Sequence, residues 1–566
     1  MFKSNIGLSF AKSAGLILFF IGYQSLILDR VQANNSDHLA QENIKVTEDL
    51  ELDQIKVFCS SILNPQVLQS IFPDFPIETQ LLNAENTSQL ITCPQGKTIF
   101  IIKSLDRDNL LTQRKEIIEK ITKFYIDNGY ITSRAIPYGS QDILLEEDQA
   151  TITIEGATRL EKYVLGRIKP ATNPFNTKDI EDRLRLLKAD PLIENIEATL
   201  KPAEDSNATQ LVVKVTEAKA FFGSFGIDND SPPTIGGEEL NLIIGDRNLT
   251  GIGDSLAIFY SPRLEAFTGT YDLDFDYRAP INSMNGTINL GVSLNRNEII
   301  AGEFEDFDIQ GESETYSLNY RQPIILNPRQ ELALSVGFSY RDGQTFLLQN
   351  GFPFGEGPDD DGVSRTSVFN IGQEYILRQA SGAWGIRSLF RIGVDMFDAT
   401  NNDSSVPDSQ FFSWLTQMQR VQLLNDNNLL IIQGDLQLTP NSLLPSEQFT
   451  IGGGQSVKGY RQNVRSGDNG FRFAIEDRIT IAKNDAEQPV FLMAPFFNLG
   501  VVWNKDDNPN KVPDDNFIAA LGLGLLWQPI EGLNLRLDYA PPLIDLDDRR
   551  DNIQDDGLHF SANYSF

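Results

Sequence analysis

From about Ala220 to its last residue the chain is built of short runs, about ten residues each, in which apolar and polar side chains alternate. In 271–278, Tyr271, Leu273, Phe275 and Tyr277 alternate with Asp272, Asp274, Asp276 and Arg278. Ile288, Leu290, Val292 and Leu294 do the same among Thr287, Asn289, Gly291, Ser293 and Asn295, and Leu533, Leu535, Leu537 and Tyr539 do so among Asn534, Arg536 and Asp538. Successive strand side chains point to opposite faces, so each run has one apolar and one polar face. Counting such runs gives sixteen strands between Phe221 and Phe566, with no convincing helix among them. A soluble sandwich would also alternate, but on shorter strands whose polar face looks at bulk water. Strands of about 9–11 residues fit a transmembrane barrel, apolar toward lipid and polar toward a lumen, and bacterial single-chain barrels have an even strand number. Asn285-Gly286 marks a tight hairpin, and the acidic stretches 355–362 and 545–556 read as exposed loops. In the last run, LHFSANYSF, Phe560, Ala562, Tyr564 and Phe566 share one face. An aromatic strand at the end of the chain suits a barrel that closes its last strand on its first, with Phe566 as an assembly signal.

The part before Ala220 has a different texture. Lys3 and Lys12 precede the apolar run Ala14 to Leu28, and Val31-Gln32-Ala33 offers a small-residue cleavage site. The pattern is that of a secretory signal peptide over 1–33, with an uncleaved anchor as the alternative. Residues 34–50 are polar and read as a flexible segment. In 114–128, Ile117, Ile118, Ile121, Phe124 and Tyr125 recur at helical spacing, and Gly129 sits where such a helix should end. The strand-like YITSRAI and TITIEG (151–156) follow. A second helix, 180–188, precedes strands over 193–200 and 210–218. Two small α+β modules in tandem are expected.

Composition removes several function classes. The formal charge is 47 − 78 = −31, which argues against nucleic acid, whose phosphates require clustered Lys and Arg. His38 and His559 are the only histidines, so neither a nucleophile–His–acid set nor a zinc site can be assembled, and neither an enzyme nor a cofactor is expected. Cys59 and Cys93 are the only cysteines; export would permit a disulfide between them. Gly452-Gly453-Gly454 lacks the Gly-Lys-Ser/Thr of a phosphate loop.

Taken together, these residues resemble the two-partner secretion (TpsB) transporters of the haemolysin secretion/activation type, within the outer-membrane POTRA–barrel superfamily. ITKFYIDNGYITSRA (121–135) and PFNTKDIEDRLRLLKADPLIENIEATLKPAED (174–205) resemble two POTRA modules, and GDRNLTGIGDSL (245–256) an early barrel hairpin. GGGQSVKGYRQNVRSGDNG (452–470) resembles the sixth extracellular loop, whose hallmark is Val-Arg-Gly-Tyr; here it reads Val457-Lys458-Gly459-Tyr460. PFFNLGVVW (495–503) resembles the family's Phe-x-Asp-x-Gly strand, with Phe496, Asn498 and Gly500. The resemblance implies POTRA modules over 51–155 and 156–218, then a barrel over 220–566 with a loop, 441–470, folded inward. It further implies a periplasmic capture site for an unfolded exoprotein, export through the barrel, lipid and the barrel-assembly machinery as partners, and no cofactor. An assembly or insertion factor of the same superfamily is the alternative, and a diffusion porin a remoter one.

Two positions depart from the pattern. Lys458 stands where the family has Arg, and Asn498 where it has Asp, so the bidentate guanidinium–carboxylate pair is lost. Either Lys458 meets the Asn498 amide, or it turns to Glu476 on the next strand. Residues 34–50 are short for the plug helix of many family members, and 151–163 compresses the end of one module and the start of the next into one strand.

Overall fold

The computed structural model describes residues 54–58, 60, 62–81, 98–103, 109–147, 150–169, 174–202, 209–402 and 405–566. The expected signal peptide, the segment 34–50 with any plug helix, His38, and the Cys59–Cys93 pairing lie outside the described residues.

The first module runs β1 (Gln54–Phe58), α1 (Pro65–Ile71), β2 (Ile77–Leu81), β3 (Thr98–Lys103), α2 (Leu110–Asp127), β4 (Arg134–Tyr138) and β5 (Asp142–Glu146). Its sheet has the order β2-β3-β1-β5-β4. α1 begins where Pro65 occupies the first turn and the Asn64 side chain accepts from Val67 N at 2.9 Å. Ile117, Ile121 and Tyr125, one face of α2, are fully buried against Ile55, Val57, Ile102 and Ile143 of the sheet.

The second module comprises β6 (Thr151–Glu155), α3 (Glu161–Ile168), α4 (Thr177–Lys188), β7 (Ile193–Pro202) and β8 (Thr209–Glu217), in the sheet order β6-β8-β7. Here the expected boundary after 155 is corrected. Thr151–Glu155 pairs in parallel with 210–214 of β8, so it belongs to the second sheet, and 161–168 is helix rather than a continuation of strand. Alternation identifies a strand but not the sheet it joins, because parallel pairing is set by a distant partner. The Glu217 carboxylate accepts from the backbone N–H groups of Thr158, Arg159 and Leu160, the open donors at the start of α3. Burial alone would raise its pKa; those hydrogen bonds carry it below the usual value. The modules meet at Gly129, whose φ of +93° ends α2 and whose carbonyl accepts from Thr177 N at 2.9 Å. A side chain there would strike Asn176 Oδ1.

The barrel begins with β9 (Phe221–Asp228), β10 (Glu239–Arg247), β11 (Ser255–Pro262), β12 (Tyr271–Pro280) and β13 (Thr287–Glu298). β14 (Ile309–Leu326) and β15 (Gln330–Leu347) follow; β16 (Asn350–Gly351) is a two-residue extension of that hairpin. β17 (Val363–Gln379), β18 (Gly382–Val394), β19 (Phe412–Asn425) and β20 (Asn428–Leu438) continue the wall. The loop after β20 contains a short ribbon, β21 (Phe449–Ile451) with β22 (Arg465–Gly467). β23 (Asn469–Lys483), β24 (Pro489–Trp503), β25 (Phe517–Trp527), β26 (Leu533–Tyr539) and β27 (Leu558–Ser565) complete it. Leaving aside the β16 extension and the ribbon, sixteen antiparallel strands form the closed barrel, as expected from the alternation.

β27 closes on β9 from Ser561↔Asp228 to Ser565↔Ser224. Phe566 N donates to Gly223 O at 3.0 Å, Gly223 N donates back to Phe566 O at 3.1 Å, and the Phe566 ring lies beside Phe221. Phe566 thus extends the closing seam by one residue. We call the end of the barrel at residues 219–221 proximal and the other end distal. Apolar side chains such as Phe225, Phe275, Leu290, Leu334, Ile371 and Leu521 are exposed on the outer face. That arrangement suits a hydrocarbon surround, since every strand edge is paired. The strands Ile309–Leu326 and Gln330–Leu347 reach 18 residues, longer than a membrane crossing needs.

Candidate functional site

The loop between β20 and β23, residues 439–468, turns back into the barrel instead of projecting away from it; this is close to the expected 441–470. Its base is held by Asp468, whose carboxylate accepts from Leu443 N, Lys505 N and the Asn508 side chain at 2.9 Å each. On the way in, Glu447 accepts from Thr366 Oγ1 of β17 at 3.0 Å and pairs with Arg391 of β18. Gly452 and Gly453, with φ of +106° and +102°, turn the chain where a side chain would meet Arg461 O or the Gln462 side chain.

The tip is Val457-Lys458-Gly459-Tyr460, all buried. Tyr460 Oη donates to Ala519 O at 2.8 Å and accepts from Ile544 N at 3.2 Å. Gly459 has φ of +97°, its N–H donates to His559 Nε2 at 3.4 Å, and an added Cβ would sit 2.5 Å from Ala540 O. Val457 packs with Ile451, Tyr460, Val464, Phe496, Val502, Ile518, Ala520 and Ala540. The loop has brought an apolar core into a barrel.

Lys458 Nζ lies 3.2 Å from Glu476 Oε2 of β23 and 3.2 Å from Asp538 Oδ2 of β26, and 4.3 Å from the centroid of the Phe496 ring. The same two carboxylates are shared by Arg536, at 2.6 Å from Glu476 and 2.7 Å from Asp538, and Glu476 also accepts from Arg478 at 2.6 Å. A buried ammonium needs such partners, because an unpaired one would cost several kcal/mol. Of the two arrangements open to Lys458, the structure has the second. Lys458 donates to carboxylates and not to the Asn498 amide; Asn498 is buried, 3% exposed, and its own Nδ2 donor has no hydrogen-bond partner. Removing the carboxylate from 498 has left the cation to carboxylates on two other strands.

The other residues of that strand have steric work. Phe496 floors the Lys458 site, and Gly500 leaves the space that Val457 and Ile451 fill, with a Cβ there meeting them at 3.0 and 3.1 Å. Asp538 was the missing member of the site. Its signal was present in the alternation of 533–539, which sets Asn534, Arg536 and Asp538 on the polar face, but alternation does not say which lumenal carboxylate a loop will reach.

The haemolysin secretion/activation protein family ShlB/FhaC/HecB matches residues 207–525, more than half of the chain. The outer membrane transporter CdiB of Dickeya dadantii is 26% identical over 395 residues, covering 66% of this chain and 68% of that protein. CdiB of Escherichia coli O6:K15:H31 is 22% identical, with 62% of its length spanned. The heme/hemopexin transporter protein HuxB of Haemophilus influenzae (strain 86-028NP) is 20% identical over 501 residues, covering 85% and 86%. Among solved structures, CdiB from Escherichia coli superimposes with a TM-score of 0.68 at 15% identity, over 100% of this chain and 99% of that one. BamA from Haemophilus ducreyi lacking POTRA domains 1-3 does so with a TM-score of 0.52 at 14% identity, over 82% and 95%. With a matching family model that runs from the last strand of the second module through most of the barrel, the chain belongs to the haemolysin secretion/activation protein family.

Proposed function

We propose that this protein is an outer-membrane transporter of two-partner secretion, which takes an unfolded exoprotein from the periplasm and passes it through its barrel. The two α+β modules are POTRA domains on the periplasmic side, and the distal loops face outward. The observation that carries this reading is the loop tip held inside a closed sixteen-stranded barrel by ion pairs. A lumen stoppered by part of its own chain, through contacts that can be exchanged for water, is a gated conduit and not a static pore.

Capture is by strand addition. In the second module β7 is an edge strand of ten residues, so its outer backbone groups offer hydrogen bonds to an extended client. Polar lumen residues such as Asp274, Asn289, Ser293 and Ser317 keep a polypeptide in transit hydrated. Folding of the client outside supplies the direction. Lipid surrounds the outer face, and the protein reaches the membrane through the barrel-assembly machinery, with Phe566 in its signal.

The likeness to BamA keeps one competitor, an assembly or insertion factor. A secretome comparison between cells with and without the gene separates the two. Loss of one large protein from the medium, with other outer-membrane barrels at normal levels, supports export. A joint fall in many barrels replaces it with assembly.

A further inference from the structure

Outside the Lys458 site the same loop carries two more buried cations, Arg461 and Arg465. Arg461 Nη1 lies 3.1 Å from Asp555 Oδ2, and its other terminal nitrogen pairs with Asp548. Arg465 Nη2 lies 2.6 Å from Asp515 Oδ2 and 2.8 Å from Asp548 Oδ1, while its Nε donates to Asp515 O at 3.0 Å. Asp515 belongs to the loop between β24 and β25; Asp548 and Asp555 belong to the loop between β26 and β27. Two guanidiniums of one loop therefore hold three carboxylates of two others. Gln554 ties this assembly further: its Oε1 accepts from Gln462 N at 2.9 Å, and its Nε2 donates to Asn229 O and Ser231 O at 2.8 and 2.7 Å.

We propose that Arg461 and Arg465, with Asp515, Asp548 and Asp555, form an outer latch distinct from the Lys458 anchor, and that this latch decides when the loop can leave the lumen. The proposal rests on the transporter reading only in taking loop departure as the opening event. The order of release follows from exposure. The Asp548 and Asp515 side chains, which hold Arg465, are 49% and 24% exposed, whereas Glu476 and Asp538 around Lys458 are 13% and 5% exposed, and Asp555, the inner partner of Arg461, is 2% exposed. Water, salt or a partner reaches the Arg465 pairs with Asp548 and Asp515 first, and the buried Arg461–Asp555 pair and the Lys458 anchor can exchange only after the loop has begun to lift. The guanidinium geometry suits a latch, because each fork engages two carboxylates at once and comes free only when both let go. Burial would raise the Asp548 carboxyl, yet hydrogen bonding to Arg465 and the charge of Arg461 hold it down at about 2, so Asp548 stays charged throughout the physiological range. The two arginines are positioning residues: they touch no client, and act through the loop.

The test is single-channel recording of the purified full-length protein in planar lipid bilayers, comparing wild type with Arg465→Gln, Arg465→Lys and Asp548→Asn. Folding is checked by the shift in gel mobility between unheated and boiled samples. Arg465→Gln is expected to raise the time-averaged conductance about tenfold, with Arg465→Lys intermediate. Asp548→Asn, a change at a half-exposed site, should give a smaller rise and a less than additive increase when combined with Arg465→Gln, since the Arg465–Asp548 pair is common to both while Asp548 also holds Arg461. If folded Asp548→Asn and Arg465→Gln proteins both conduct as wild type does, or if their effects simply add, the latch is overturned. Export of a client is scored separately: a conductance rise in a protein whose wild type exports nothing would retain the latch and discard the transporter reading.

Discussion

Two walls of the barrel obey the same period-two rule and reach opposite interiors. On β12 to β14 the inward residues are Asp272, Asp274, Asp276, Asn289, Ser293, Asn295, Ser317 and Asn319, and Asp272 accepts from Asn295 and pairs with Arg263 at 2.8 Å. On β24 and β25 the inward residues are Phe496, Asn498, Gly500, Val502, Ile518, Ala520 and Gly522, and the loop tip covers them. The outward faces are alike, because both meet the same surround. The inward faces differ because one is wetted and the other is covered by the chain itself. Small residues on the second wall leave room for the loop; charged residues on the first fill a lumen with polar groups.

The largest expected effect is at the covered wall. Glu476→Gln leaves Lys458 and Arg536 with Asp538 alone and takes from Arg478 the carboxylate it pairs with, and breaking a buried pair in this way costs about 3–5 kcal/mol. Protease cleavage within 452–465 of the membrane-embedded protein should become rapid in this variant. The matching change on the wetted wall, Asp276→Asn, should leave that cleavage unaltered. Equal susceptibility of the two variants would erase the distinction between the walls.

A pair of glycines provides the next contrast. Gly459→Ala forces a positive φ on a residue with a side chain and drives its Cβ against Ala540 O, a backbone atom that cannot move aside. It should cost about 1–3 kcal/mol. Gly291→Ala on β13 meets only Ser317 Oγ, the end of a side chain that can rotate away, and should stay within about 0.5 kcal/mol. Thermal melting followed by unheated gel mobility measures both, and a Gly459→Ala protein as stable as Gly291→Ala would show that the tip is not docked as described.

Asn498 then sharpens the account of the anchor. Because Lys458 is already engaged with Glu476 and Asp538, Asn498→Asp alone buries a carboxylate without a dedicated partner and should lose about 1–3 kcal/mol. Adding Lys458→Arg supplies a longer, forked cation and should recover most of that loss. A double variant no better than the single would mean that the two positions are uncoupled in this chain.

These particulars also mark what the sequence could disclose. The barrel was legible because alternation is a local signal repeated sixteen times, and because lipid demands it of every strand. The Lys458 tip was legible through motif positions, and their departures left Asn498 and Glu476 both open as its partner. Asp538 was on the right face, yet its pairing depends on the register of β26 relative to β23, three strands away. The outer acidic loops were read as solvated, since a run such as 545–556 looks the same whether its carboxylates face water or two arginines brought from 80 residues away. The boundary expected after 155 missed for a related reason, as the parallel partner of Thr151–Glu155 lies nearly 60 residues on. What is non-local and held by charge leaves little trace in periodicity.

The smallest effect expected is a pH dependence at the edge between the two walls. Asp230, in the loop after β9, accepts from Gln455 Nε2 of the inward loop at 2.8 Å. Burial raises its pKa to about 6 against an ordinary 3.8; the Gln455 hydrogen bond and Lys458 oppose the rise, and Asp228 and Asp538 add to it. A carboxyl whose folded pKa lies above its unfolded one binds more protons when folded, so its contribution favours the docked state at low pH and is lost as pH rises from about 4 through 6. Protection of the loop from protease should therefore be greater at pH 5 than at pH 8, and flat above pH 7. Asp230→Asn removes this group's titration while keeping an acceptor for Gln455, so the difference in protection between pH 5 and pH 8 should shrink. A wild-type loop that loosens on acidification would reverse the sign, and would place the controlling group among the carboxylates that hold Lys458.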